Sequence, residues 1–490
     1  MANDKDFTFT PKFFINENPL YLSEYRQDFI NSFLIVDAGY TQGYKKKKAK
    51  KTSGGRAHVF SNFNMNFIDG QNKFSSLEIN FEKVSNDTYL KIYDIKSSLV
   101  ETGKTVLENK INFAYQNKDF YFGLTPSVYE DTNKNGHLRH EYLLPLTIEK
   151  NIMASEKYGS LDFGSNMRLR NYETNKQLNL FVNDFNWKSN KWLNTLGIEN
   201  YFEGLIKNVN YKAQNIAEYK VDKSNFELNS AFGYFAKFPL FKEDFIKNNF
   251  HSLTPRFLFR YAPGHMRKTN GGRLNYGNLF NLNKLNELDV LEPGLSASIG
   301  FEYKKNKFDN SKNITDEVIS FSIGQVVSEK ENMSIPSSTS LDQRFSDVVA
   351  ESRYSINNNM NLSYNFSIDQ GYKNFNYNEI GADFTFEKAK FNLSFLEEKK
   401  HIGNAEYVKT GIDYKLNNST ELSFNTKRNL LTDSAEFYNL SYNYINDCLT
   451  AGIAYRREFY NDRDVEPENT LMFTISIIPF AKINSPSFSR

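Results

Sequence analysis

Residues 62–69 read NFNMNFID, and the alternation in them limits what this chain can fold into more than any other feature. Phe63, Met65 and Phe67 fall on one parity, and Asn62, Asn64 and Asn66 on the other. A period of two belongs to a β-strand whose two faces meet different surroundings. A soluble sheet would turn the aromatics inward. A barrel in an outer membrane would turn them out to lipid and line a wet interior with asparagine. The pattern returns in MNLSYNFSID (360–369), where Met360, Leu362, Tyr364, Phe366 and Ile368 share a face. KFNLSF (390–395), ELSFNT (421–426), YNLSYNY (438–444) and LMFTISI (471–477) repeat it. Their polar faces carry Asn, Ser and Thr more often than Lys or Glu. That composition suits a lumen better than a face in bulk water.

Connectors point the same way. DFIN (28–31), DGQN (69–72) and QNKD (116–119) are short polar turns, and between them lie long segments at 45–55 and 83–105. Outer-membrane barrels keep short turns on the periplasmic side and longer loops outside. With a first upward strand near 7–15, the long connectors fall outside the cell. No stretch approaches the 18 apolar residues of a spanning helix, so a membrane assignment has to be a barrel. Aromatic residues make up 16% of the 490, with 44 Phe and 30 Tyr against 2 Trp. A coding bias toward Phe, Tyr, Asn, Lys and Ile also raises that share, but it does not create alternation. At about 19 residues per strand and connector, the chain gives about two dozen strands in one domain.

Chemistry is sparse. The formal net charge of +2 gives no strong pull toward nucleic acid or a membrane surface. KKKKAKK (45–51) has no interleaved aromatics and reads as a solvated loop, with anionic glycolipid headgroups as its alternative contact. DTNKNGHLRHEY (131–142) places Asp131, Asn133, Asn135 and Gly136 like a calcium loop. Its twelfth position is Tyr142, however, and Glu141 comes one residue early. With His137 and His140 it reads as a turn, not a metal site. No nucleophile elbow, phosphate loop or dinucleotide fingerprint occurs. The sequence therefore predicts no enzyme, no cofactor, no metal and no nucleic-acid partner. The start, MANDKDF, lacks the basic and apolar regions of a secretion signal.

Several segments resemble the LptD family, outer-membrane proteins that insert lipopolysaccharide into the outer leaflet. They are DKDFTFTPKFF (4–14) with EYRQDF (24–29), SNDTYLKIYD (85–94), RFLFRYAPG (256–264), NLFNLNKLNELDVLEPG (278–294), RFSDVVAESRY (344–354) and a final stretch at 446–477. Within 278–294, Leu279, Phe280, Asp289, Glu292 and Gly294 match the family pattern. Lys284 stands for a usual Arg, and Glu287 for a usual Gly. The resemblance implies an all-β fold: a transmembrane antiparallel β-barrel of about 26 strands spanning 1–490. Its first strand lies near 6–15, its last near 470–480, and a short tail follows at 481–490. The resemblance also implies an integral protein of the Gram-negative outer membrane and an LptE-type lipoprotein plug in the lumen. A periplasmic Lpt bridge would connect through an N-terminal jelly-roll domain that this sequence lacks, which accounts for the start.

The resemblance further implies a lateral gate between first and last strands. It would be formed by Phe7, Phe9, Pro11 and Phe13 against Leu471, Phe473, Ile475 and Ile477. Pro11 interrupts the first strand, because it has no N–H and removes a ladder bond worth about 1 kcal/mol; a bulge, or a strand beginning at Lys12, is the alternative. Pro19 reads as a turn proline, and Pro479 as the end of the last strand. Cys448 sits where the family bonds to its jelly-roll domain; a small core-filling thiol is the other reading. The function implied is assembly of lipopolysaccharide into the outer leaflet. The alternatives are a porin, a nutrient-transport barrel, and a soluble or surface β-rich adhesin.

Overall fold

The computed structural model describes residues 4–489 except 15–17, 44–52, 69, 71–72, 94, 220–222, 271, 309–313, 357–358, 401–402, 447–448, 460–468 and 478–480. One sheet of 28 strand segments contains every strand, and the only α-helices among the described residues are two single turns. Among the described residues no helix is long and apolar enough to cross a membrane. The strands pair antiparallel with their sequence neighbours, from β1 (Lys5–Phe14), β2 (Leu20–Asp28) and β3 (Ser32–Gly43) onward. β4 (Ser53–Ile68), β5 (Lys73–Val84) and β6 (Val106–Asn117) continue the series. The order runs on to the last strand, Ala481–Ser489, which closes the ring on β1. This is the large antiparallel outer-membrane barrel the sequence predicts.

Three of the segments continue a neighbouring one across a short break. Phe120–Leu124 and Ser127–Asp131 both pair with His140–Ser155, and the break falls at Pro126. Asn225–Lys237 and Leu240–Asp244 both pair with Asn249–Ala262 around Pro239. Lys176–Lys188 and Trp192–Leu193 share Glu199–Gln214. Proline cannot donate to a ladder, so two of the breaks sit beside prolines. The wall then has an odd number of staves. In an otherwise antiparallel ring, first and last strands must therefore run in the same direction, and β1 does meet Ala481–Ser489 in parallel.

One end of the barrel carries short turns such as Phe29–Asn31, Lys118–Asp119 and Asn418–Ser419. The other end carries 85–105, 132–139, 263–293 and 329–347. The parity read from the sequence is thus present, and the short end is the periplasmic one. The face assignment also stands. On β4, Arg56, His58 and Phe60 are buried in the lumen while Val59 is exposed outside. By period two, Asn62, Asn64 and Asn66 follow Phe60 inward, and the Asn64 amide donates to Asn62. Phe63, Met65 and Phe67 follow Val59 toward lipid. Across β3 to β6, Leu34, Phe63, Ile79 and Ile111 form one outward apolar rung.

Two expectations are corrected. The segment 481–489 is a strand, not a tail, and it stands between β1 and the strand Asn469–Ile477. Its sequence, AKINSPSFS, alternates too weakly to announce a strand. Nor does Pro11 interrupt β1: the strand runs through it, with Pro11 opposite Tyr21.

A charge at the middle of the lipid-facing rung should cost about 2–4 kcal/mol. Phe63→Arg is expected to lower the urea midpoint of the barrel in vesicles, whereas Asn64→Asp, facing water, leaves it unchanged.

Candidate functional site

Among the described residues, β1 is registered unequally on its two sides. Toward β2 it has eight registered partners, from Lys5 opposite Gln27 to Lys12 opposite Leu20. Toward the last strand it has two, Lys12 opposite Asn484 and Phe14 opposite Ser487, with a register shift between them. On β1, Phe7, Phe9 and Phe13 are exposed on the outer face with half-buried Pro11. Phe9 stacks on Tyr21 at 6.1 Å. Thr10 and Lys12 point inward and are buried. Leu471, Phe473, Ile475 and Ile477 lie one strand further back. Their strand pairs with Leu449–Glu458 on one side and the last strand on the other. The side chains of Phe473, Ile475 and Ile477, and all of Cys448, lie outside the described residues.

The long connector after β5 turns back into the lumen behind this seam. Its single helical turn α1 (Tyr89–Ile92) buries Tyr89 and Leu90, and Tyr93, Ile95 and Val100 follow. They pack on the inner faces of Leu20, Phe60, Val84 and Leu107. Polar contacts fix the docking strand by strand. Lys12 Nζ donates to the Tyr93 carbonyl at 3.3 Å, and Ser98 Oγ to Glu24 at 2.6 Å. His58 Nε2 lies 2.6 Å from Asp37 Oδ1, and its Nδ1 lies 3.3 Å from the Tyr89 hydroxyl. A ring protonated on Nε2 satisfies both neighbours. Burial, reinforced by Asp37, raises the Tyr89 phenol above its ordinary range, so it is a neutral donor. Gly39 makes room for the imidazole: a Cβ there would sit 2.5 Å from it.

A larger luminal body forms from 263–293 and 329–347. Its helical turn α2 (Tyr276–Leu279) is closed by a reciprocal capping box between Asn275 and Asn278. Leu279, Phe280, Leu282, Leu285 and Leu291 bury against Tyr201, Leu205, Phe235, Leu258 and Val326 of the wall. The wall is cut to receive them: a Cβ at Gly324 would meet Leu279 at 2.3 Å. Arg260, 1% exposed, donates to the carbonyls of Leu282 and Glu292, each at 2.6 Å. Its guanidinium lies 3.5 Å from the Glu292 carboxylate, which also accepts the Lys284 backbone N–H. Arg267 ties Glu227 of the wall to Asp289, and Tyr219 donates to the same carboxylate at 2.5 Å. Thus Leu279, Phe280, Asp289 and Glu292, four of the five matched residues of the 278–294 motif, are parts that dock this body. Sequence reasoning had not placed them inside the barrel.

His137 and His140 are exposed, and Asp131 Oδ1 accepts the Asn133 N–H in a local turn. Among the described residues no group of three or more metal-ligating side chains converges.

Lys284 supplies a pH test. Burial and the Arg260 charge push its amine from 10.5 down to about 7, against the pull of Glu292. Between those values the unfolded chain binds a proton that the docked segment lacks, so docking strengthens as pH rises through the window. Protection of the 279–285 amides from hydrogen exchange should climb between pH 7 and 9, by up to about tenfold per unit. Lys284→Met should abolish the climb.

A family model described as LptD, LPS transport system D, matches residues 54–427. No curated protein matches the chain. The fold is similar to the FrpB iron transporter from Neisseria meningitidis (F3-3 variant), with a TM-score of 0.42 and 9% identity over 100% of this chain and 82% of that one. It is also similar to the copper transporter OprC, with a TM-score of 0.28 and 9% identity over 96% and 71%.

Proposed function

The chain belongs to the LptD family, the LPS transport system D of the outer membrane, and from that premise we propose that lipopolysaccharide leaves it sideways through the seam between β1 and the last strand. The acyl chains pass out between the strands into lipid while the sugars stay in the polar lumen. The observation that carries this reading is the inequality in register at β1, eight partners on one side and two on the other among the described residues. Opening the weak side exposes few backbone groups, each costing about 1–3 kcal/mol when left unpaired. Phe7, Phe9, Pro11 and Phe13 form the fixed lip of the gate. The last strand forms the moving lip, backed by Leu471–Ile477.

The luminal segment behind β1 supports the same reading. It packs Tyr89, Leu90 and Tyr93 on the inner faces of β2, β4, β5 and β6, beside the seam, and is tied to β1 through Lys12. A passive porin would gain nothing from luminal bodies that fill its channel. An LptE-type lipoprotein in the remaining lumen, and a periplasmic bridge reached through an N-terminal domain, complete the proposal. Both rest on the family resemblance. The protein acts as a conduit and not as an enzyme, with the driving energy supplied upstream.

The test places a photo-crosslinking residue at Phe9 in the native host. The account predicts a lipopolysaccharide adduct that disappears when upstream transport is blocked. A folded, membrane-inserted barrel that gives no adduct would return the porin or nutrient transporter as the better reading.

A further inference from the structure

Away from the seam, the luminal wall near the periplasmic end has a depression of about 470 Å³, within the range of small-ligand sites. Cross-strand register explains it. Tyr121, Glu149, Gly164 and Asp184 stand on one inward rung of four adjacent staves. Gly164 is the gap in that rung: a Cβ built there meets only Asp184, at 4.0 Å, so the space above it is open. The rung below carries Asn151, Asp162 and Asn186, with Asn151 donating to Asp162 at 2.7 Å. In the rung above, Gly123 has no side chain, and the Tyr121 ring lies over it. A Cβ at Gly123 would meet the ring hydroxyl at 2.7 Å.

The result is an aromatic ring at the edge of a cup lined by carboxylates and carboxamides. The Tyr121 hydroxyl makes no hydrogen bond to a described residue, and Glu149 forms no ion pair among them. Asp184 is held on one side by Lys207 at 2.8 Å, while its Oδ1 is buried without a partner. That open acceptor, beside the carboxylates of Glu149 and Asp162, calls for a donor-rich occupant. A sugar ring supplies hydroxyl donors at its rim and an apolar C–H face for the aromatic ring.

We propose that this cup is a saccharide-binding subsite, where one sugar ring lies against Tyr121 and over Gly164 with its hydroxyls on Glu149, Asp162 and Asp184. Four carboxylates, Asp119, Glu149, Asp162 and Asp184, outnumber Lys118 and Lys150 in the lining, which disfavours a phosphate there. The site rests on the transport reading only for the identity of the sugar. It would hold the saccharide portion of the cargo near the periplasmic entrance while the acyl chains are handled elsewhere.

Saturation-transfer NMR on the detergent-folded chain tests it with two probes, the oligosaccharide of deacylated lipopolysaccharide and maltose. Binding of the first is expected, with transfer to its ring protons. Tyr121→Ala and Gly164→Val should each weaken binding at least about tenfold, the second by filling the cup with a strand-favouring side chain. Tyr121→Phe should keep it, because the ring remains. Binding of maltose alone would keep the subsite and assign it to free sugars. No binding of either probe, or unchanged binding in folded Gly164→Val, overturns the subsite. If the Phe9 adduct persists in that case, the transport reading stands without it.

Discussion

A chain in hydrocarbon must pair every backbone N–H and C=O within itself, because no water is there to take them. A sheet meets that demand only by closing, and everything else in this barrel follows from how it closes. With an odd number of staves the ends meet in parallel, where the slanted bonds are slightly weaker than those of an antiparallel pair. Among the described residues the registered contact is also brief, two positions against eight on the other flank of β1. Topology therefore places a parallel, briefly registered pairing at the seam.

The same constraint turns the protein inside out. Lipid takes the apolar face of each strand, so Phe63, Ile79 and Ile111 look outward, and the lumen is left with polar side chains. Yet the largest buried apolar clusters lie in the lumen. They exist because long connectors fold inward and carry their own leucines and tyrosines to meet the few apolar wall positions. Where they dock, the wall gives up side chains, as at Gly324 and Gly39. It also commits buried charge, as at Arg260 and Glu292. Removing one partner of such a pair leaves the other as an uncompensated buried charge, at a cost of about 3–5 kcal/mol.

Much of this was legible in the sequence. Period-two alternation gave the strands and their faces, and loop-length parity gave the two ends. The ordered motifs gave the family. Other features were not legible, for physical reasons. A leucine in a loop, such as Leu279, has no periodicity to say that it packs inside a barrel. A weakly alternating strand such as Ala481–Ser489 shows itself only when a neighbour lacks a partner. Pro11 was read as a break because its missing N–H was visible, while its registered pairing with Tyr21 was not. The roles of Gly164 and Tyr121 depend on register across four strands, which no single stretch of sequence displays.

The central claim is that the seam between β1 and the last strand opens. The most direct measurement joins it covalently, with Lys12→Cys and Asn484→Cys at registered positions in a Cys448→Ser background. Neighbouring partners of this kind lie within the reach of a disulfide. Surface lipopolysaccharide should fall when the bond forms and recover when reductant cleaves it in the same cells. Undiminished surface lipopolysaccharide with the bond quantitatively formed would contradict the account.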